Sequence, residues 1–266
     1  MSLQGQLPAN LLTALWAFAL YVFPVPVHAA TITVCVAGCD STTIQGAINS
    51  ANNGDQIILM ATADHTEADI IVNKSVRIVG GNVGSNVVQA AGSANSSDAR
   101  VFRIFAGNVV EMEDLIIRHG NRDFSCGGGI LNQGELTLTN VDIDTNEADT
   151  GGGLCNEGLV QCEGCDVLDN QAISMGAGLY NADDATFVAS DCRFYSNTVP
   201  AGLGGNIASF GHVELTDCVL GFGVADSGGA MFLDQDPGGQ QSAVLNNTLL
   251  STNSAATNGG GIYFNQ

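Results

Sequence analysis

Cations are what this chain most lacks. Seven Lys and Arg stand against 27 Asp and Glu, a net charge of −20, and no Lys or Arg follows Arg193. Binding nucleic acid through its phosphates needs clustered cations, so that class of partner is excluded. An acidic surface of this kind keeps an exported protein soluble and resists association. Long apolar runs are also scarce. Leu11 to Phe23 is the only extended one, and it falls short of the roughly 18–20 apolar residues that span a bilayer. No transmembrane segment is therefore expected in the mature chain. Residues 1–30 contain no Lys, Arg, Asp or Glu, and Val27-His28-Ala29 offers small residues for a peptidase. This predicts a signal peptide over residues 1–29, although the segment before the apolar run lacks the usual basic residue. The mature protein, residues 30–266, is then secreted or held at a cell surface.

Glycine is what the chain has in abundance, and in order. Gly127-Gly128-Gly129-Ile130 returns as Gly151-Gly152-Gly153-Leu154, Gly176-Ala177-Gly178-Leu179, Gly204-Gly205-Asn206-Ile207, Gly228-Gly229-Ala230-Met231 and Gly259-Gly260-Gly261-Ile262. A fixed period of this size marks a solenoid, in which each repeat packs only on its neighbours. After each cluster the segments starting at Glu135, Leu159, Thr186, His212 and Ser242 align. Their second (Leu136, Val160, Phe187, Val213, Ala243) and fourth positions (Leu138, Cys162, Ala189, Leu215, Leu245) are apolar. So are the ninth (Ile143, Val167, Phe194, Leu220, Leu250) and most of the seventh (Val141, Cys165, Cys192, Cys218, Thr248). Spacing by two means strands with one face inward. The step of three between positions four and seven puts a turn between two short strands.

Two polar columns mark corners. The sixth position reads Asn140, Gly164, Asp191, Asp217 and Asn247, and the twelfth Asn146, Asn170, Asn197, Gly223 and Asn253. Asn, Asp and Gly tolerate left-handed backbone, and Asn can hydrogen-bond to its copy one coil away. With the glycine cluster as a further corner, three short strands and three corners per coil describe a parallel β-helix. Ile44, Ala47, Ile48 and Ala51 lie at helical spacing, after Ser41 or Thr42 and before Asn52-Asn53-Gly54. That short helix would cap the first coil within an N-terminal region of about residues 31–56, because bare strand edges recruit other chains. No cap follows Gly259-Gly260-Gly261-Ile262, so the C-terminus reads as an incomplete or open end.

These motifs resemble a known family. Glycine clusters followed by Ile143-Asp144-Thr145-Asn146, Val167-Leu168-Asp169-Asn170 and Phe194-Tyr195-Ser196-Asn197 look like the repeats of polymorphic outer-membrane proteins. More broadly the chain is similar to right-handed β-helices of the pectin-lyase-like superfamily. Thr43-Ile44-Gln45-Gly46-Ala47-Ile48, Asn53-Gly54-Asp55-Gln56-Ile57-Ile58 and Lys74-Ser75-Val76-Arg77-Ile78-Val79-Gly80 resemble the start of such domains. The resemblance covers about residues 31–266 and implies an all-β, right-handed parallel β-helix with an outer-membrane-associated or secreted location. It implies no single activity, since the scaffold hosts lyases, hydrolases and adhesins.

Eight cysteines fit export. Cys35 and Cys39 flank Val36-Ala37-Gly38, a short loop suited to a local disulfide; the alternative is two unpaired thiols. Cys162 to Cys165 has zinc or redox spacing, but both positions face inward in the repeat, as Cys192 and Cys218 do, so these read as small buried hydrophobes. Neighbours in the column lie close enough to oxidise.

Chemistry-bearing candidates are sparse. Asp142 with Asp144, Asp166 with Asp169, and Asp183 with Asp184 have oxygens to offer Ca²⁺, though the Gly-Gly-x-Gly-x-Asp repeat is absent. No other cofactor is expected. Asp183 and Asp184, followed by Phe210-Gly211-His212, faintly resemble the aspartate pair and Gly-His of polygalacturonases, whose acid and base are paired carboxylates. That family's Asn-Thr-Asp and Arg-Ile-Lys motifs are missing. Arg118, Arg122 and Arg193 lack the carboxylate cluster of a lyase beside them. Regular outward Thr columns, which ice binding would need, fail where Gln161 and Glu163 follow Thr137 and Thr139. Asn73, Asn95 and Asn246 open glycan-acceptor triplets. The expectation is a secreted or cell-surface structural or adhesive β-helix without catalytic activity, with polysaccharide or cell-surface components as partners. The alternative is a carbohydrate-active enzyme, a polysaccharide lyase or polygalacturonase-like hydrolase.

Overall fold

The computed structural model describes residues 29–60, 63–81, 86–234 and 243–265. The expected signal peptide lies outside these residues but for Ala29. One coil shows how the sequence makes the fold. Glu135–Thr139 runs as a strand to Asn140, whose φ of 52° turns the chain. Asp142–Asp144 follows to a second left-handed residue, Thr145, and Glu147–Thr150 leads to Gly151 at φ 60°. Leu154–Asn156 then completes the coil. Each strand pairs in parallel with its copies one coil before and after, in unbroken register along most of the length. The architecture is a parallel β-helix.

Among the described residues sheet A has nine strands, from Thr31–Val34 to Ala243–Asn246, and sheets B and C have eight each, ending at Leu249–Ser251 and Ile262–Asn265. The expected three strands per coil are four in several coils. Sheet D pairs Asn121–Cys126, Glu147–Thr150 and Gln171–Met175, and reappears where Val224–Ser227 pairs with Ser254–Asn258. Between them only isolated bridges through Thr198 and Leu203 carry the ladder. Small inward residues, Ala148, Ala172 and Ala225, let this segment lie close over the core.

The sixth column turns as its residue types suggest: Asn140, Gly164, Asp191, Asp217 and Asn247 all have φ between 48° and 64°. The twelfth does not. Its left-handed residue is the one before: Thr145, Asp169, Ser196, Phe222 and Thr252. This frees the Asn side chains to point inward. Asn146 donates Nδ2–H to Asn170 Oδ1 and Asn170 to Asn197 Oδ1, both at 3.1 Å, and all three are buried. Each therefore satisfies polar groups that would be costly to leave bare. Where the column reads Gly223, Asn206 supplies the missing amide. It accepts from Asn197 Nδ2 at 2.8 Å and donates to Asn253 Oδ1 at 3.2 Å. Asn206 stands where neighbouring coils have Gly129, Gly153 and Gly178, and a Cβ on Gly223 would lie 2.5 Å from its Nδ2. The two residue types have exchanged places. A second ladder at another corner joins Asn132, Asn156, Asn181 and Ser209, with links of 2.9, 2.8 and 3.0 Å.

The inward columns form one core. Val141, Cys165, Cys192 and Cys218 are sealed, as are Ile143, Val167, Phe194 and Leu220. The N-terminal end is closed by the helix Ile44–Ser50, which buries Ile44, Ala47 and Ile48. Its cap is Thr43, one residue beyond Thr42 and two beyond Ser41, the expected caps, because Thr43 Oγ1 accepts from Gly46 N–H. Glu67 adds a carboxylate to the N–H groups of Ile44 and Gln45 at 2.7 and 2.8 Å, which suits the positive end of a helix.

Candidate functional site

Asp183 and Asp184 occupy the exposed turn between sheets C and A, with Asp184 at φ 61°. His212 opens the sheet A strand His212–Thr216, opposite Thr186. Asn181 Nδ2 donates to its carbonyl at 3.1 Å, so the second Asn ladder fixes this corner. Turn and histidine thus lie on adjacent coils at one corner, on backbone whose hydrogen bonds are made within the ladder and sheet.

The calcium candidates fall elsewhere. Asp142 and Asp166 stand opposite one another on sheet B, with Arg193 next in the row. Arg193 holds Asp166 by a two-point ion pair, Nε to Oδ1 at 2.6 Å with Nη2 on Oδ2. Burial, and then the charges of Asp166 and Asp144, push the Asp142 carboxyl above its ordinary value, against the pull of Arg193. Asp144 accepts a hydrogen bond from Thr145 Oγ1 at 2.6 Å. Asp169 turns the next corner. Among the described residues no three His, Cys, Asp or Glu side chains gather as a metal would require.

Cys35 and Cys39 are joined by a disulfide. A second bond, Cys126–Cys155, ties sheet D of one coil to sheet C of the next. Its partners are 29 residues apart and belong to none of the aligned columns, so sequence spacing gave no sign of it. Cys162, Cys165, Cys192 and Cys218 are free and buried. Cys165 donates its backbone N–H to Cys192 Sγ at 3.3 Å. Hydrogen bonding with Cys165, together with burial, pushes the Cys192 thiol up to about 12, so these groups stay protonated and unreactive.

The corner from sheet B into sheet D carries a cleft of about 400 Å³, lined by Leu168, Asp169, Arg193, Tyr195, Ser196 and Val219. Gly221 shapes it. A Cβ there would lie 2.7 Å from Tyr195 Cζ, so only glycine lets the ring lie across the next coil, where it packs on Phe222 at 5.3 Å. On the outside of sheet C, Tyr180, Phe210, Phe232 and Tyr263 follow one another at 5.6, 5.9 and 5.8 Å. Sequence reading found neither feature: the cleft joins residues from different columns, and the aromatic row is one column, Tyr180, Phe232 and Tyr263, interrupted by Ala208, where the offset Phe210 fills the gap.

Compared with known proteins, the chain matches no family model and no curated protein. Among the described residues no helix is long and apolar enough to cross a membrane.

Proposed function

We propose that the protein is a secreted or cell-surface β-helix of the pectin-lyase-like kind, with repeats of the polymorphic outer-membrane type, serving as a structural or adhesive module. The observation that carries this reading is the pair of buried amide ladders. They lock successive coils into a rigid rod and hold its outer rows of side chains at fixed spacing. A rod presenting regular rows suits attachment to extended partners such as polysaccharide or cell-surface components. Disulfides persist in oxidising, extracytoplasmic compartments, which supports export. N-terminal sequencing of protein from a secreting host tests that part: loss of about 29 residues is expected, and an intact Met1 overturns it.

One observation favours the alternative of a sugar-cleaving enzyme: the Asp183 and Asp184 turn shares a corner with His212. The deciding experiment incubates the mature protein with polygalacturonate, alginate and pectin, with and without Ca²⁺. Co-sedimentation with a polysaccharide, without unsaturated products or new reducing ends, is the expected result. Product that disappears in Asp183→Ala or His212→Ala replaces the adhesive reading with a catalytic one.

A further inference from the structure

The cleft of about 400 Å³ beside Tyr195 originates in one strand, Arg193–Tyr195, whose two outward side chains lean opposite ways along the rod. Arg193 leans back over the preceding coil, where its guanidinium grips Asp166 with Nε on Oδ1 at 2.6 Å. Tyr195 leans forward over the next coil, because Gly221 stands opposite it with no side chain to hold it off. Asp166, Arg193 and Val219 form one outward row of sheet B, and Leu168, Tyr195 and Gly221 the other. The parting of the two side chains therefore uncovers Val219 in the first row and Leu168 in the second. A diagonal trough with an apolar floor runs from one to the other, between a guanidinium and a phenol ring. Its side toward sheet D is closed by Asp169 and Ser196, the left-handed turn residues of two successive coils. Their backbone is fixed: Asp169 N–H donates to the Tyr195 carbonyl at 3.0 Å and Ser196 N–H to the Gly221 carbonyl at 3.1 Å. A few polar groups thus stand at set positions around apolar surface, as they do in small-molecule sites.

Charge decides the class of ligand. Asp166 already neutralises Arg193, so an anion gains no net attraction from the walls and meets a chain of net charge −20. A cation meets the head of Arg193, whose side chain is 60 % exposed. As hydrogen-bonding groups the same residues are complementary. The Asp169 carboxylate accepts, Arg193 keeps N–H groups beyond those given to Asp166, and the Ser196 hydroxyl does both. A ligand with several hydroxyls and no charge can use all three, since each hydroxyl donates and accepts. An apolar C–H face on the same ligand covers Leu168, Val219 and the Tyr195 ring. A sugar ring combines the two.

We propose that this cleft is a subsite for one ring of a neutral polysaccharide, stacked on Tyr195 with its hydroxyls shared among Arg193, Asp169 and Ser196. The inference rests on the adhesive reading above and adds to it a place and a class of glycan.

The test titrates the purified protein calorimetrically with neutral hexasaccharides of glucose, mannose, galactose and xylose. Hexagalacturonate is the anionic control and hexaglucosamine the cationic one. Binding of at least one neutral hexasaccharide is expected, with an affinity that does not fall as salt rises. Tyr195→Ala should weaken it about tenfold or more, whereas Tyr195→Phe keeps the ring and should keep most of the affinity. Gly221→Ala should weaken it without touching the sugar, because the added Cβ would lie 2.7 Å from Tyr195 Cζ and drive the ring from its seat. Asp169→Asn keeps a residue type that accepts left-handed backbone and leaves the ring alone; it should weaken binding several-fold. The proposal is overturned if no neutral hexasaccharide binds, if either charged control binds better, or if Tyr195→Ala and Asp169→Asn leave binding intact. Co-sedimentation with a polysaccharide that survives Tyr195→Ala removes this site and leaves the adhesive reading standing. Protein that sediments with no polysaccharide removes the reading itself.

Discussion

Two coils with the same sequence pattern have different surroundings. In the coil 212–223, Val213, Leu215, Cys218 and Leu220 are sealed from solvent. Thirty residues on, their equivalents Ala243, Leu245, Thr248 and Leu250 are exposed or half-exposed. The register is continuous between the two, residue for residue on sheets A and B. The difference is that the coil 212–223 is covered by another and the coil 243–253 is paired on one side only among the described residues. In a solenoid, burial is conferred by the neighbour and not by the residue's own pattern. A sequence column therefore reports where a side chain points, and the stacking reports what that is worth.

The largest test of this contrast is a charge in each coil. Phe194→Asp should cost at least about 3 kcal/mol by urea unfolding, since an unpaired carboxylate enters a closed core. Leu250→Asp, in the same column, should cost less, because among the described residues Leu250 is only partly buried against the core. Equal losses would break the comparison.

Removing the bond between coils comes next. Cys126→Ala with Cys155→Ala opens a span of 29 residues and should cost about 3 kcal/mol. Loss of Cys35–Cys39, which closes a much shorter loop, should cost about 2 kcal/mol.

The exchanged pair in the amide ladder sharpens the contrast further. Asn206→Gly leaves Asn197 and Asn253 without that partner and should cost about 1–3 kcal/mol. Gly223→Asn alone crowds the Asn206 side chain and also the Gly229 carbonyl, which would lie 2.2 Å from the added Cβ, and should cost more. The double variant removes only the first of these clashes, so it should lose less than the two single losses added together, a coupling between the sites. Additive losses would mean that the two side chains do not share one place in the ladder.

The smallest effect concerns Asp142, whose folded-state carboxyl is held above its ordinary value chiefly by burial. A raised folded value means that stability is present below the unfolded carboxyl's titration and is lost as pH rises through the folded one. Asp142→Asn should therefore raise the melting temperature slightly at neutral pH. The gain should shrink as pH falls below the carboxylate range.

Much of the fold was legible because strands impose a period of two and corners demand a few residue types. The inward columns, the left-handed sixth position, the amide ladder and the capping helix all followed from residue identity. What was not legible lies outside the aligned segments or joins residues from different columns. The second ladder runs through Asn132, Asn156 and Asn181, in three-residue strands that flank the glycine clusters and are too short to show alternation. Asn206 stands inside a glycine cluster, and only its place in space shows that it fills the ladder position left by Gly223. The candidate site was legible only as positions. Asp183, Asp184 and His212 fall at one corner, but the cleft beside Tyr195 depends on Gly221, a residue with no side chain to signal it.

The column of buried thiols gives the rod its own unravelling gauge. Cys165, Cys192 and Cys218 stand on successive coils, each sealed and protonated, so an alkylating reagent reads only the moments when a coil is open. Cys218 lies one coil from the half-covered coil 243–253, Cys192 two and Cys165 three. If coils peel from that end, pulsed labelling should mark the three in that sequence. If the rod opens as one unit, they should be marked together.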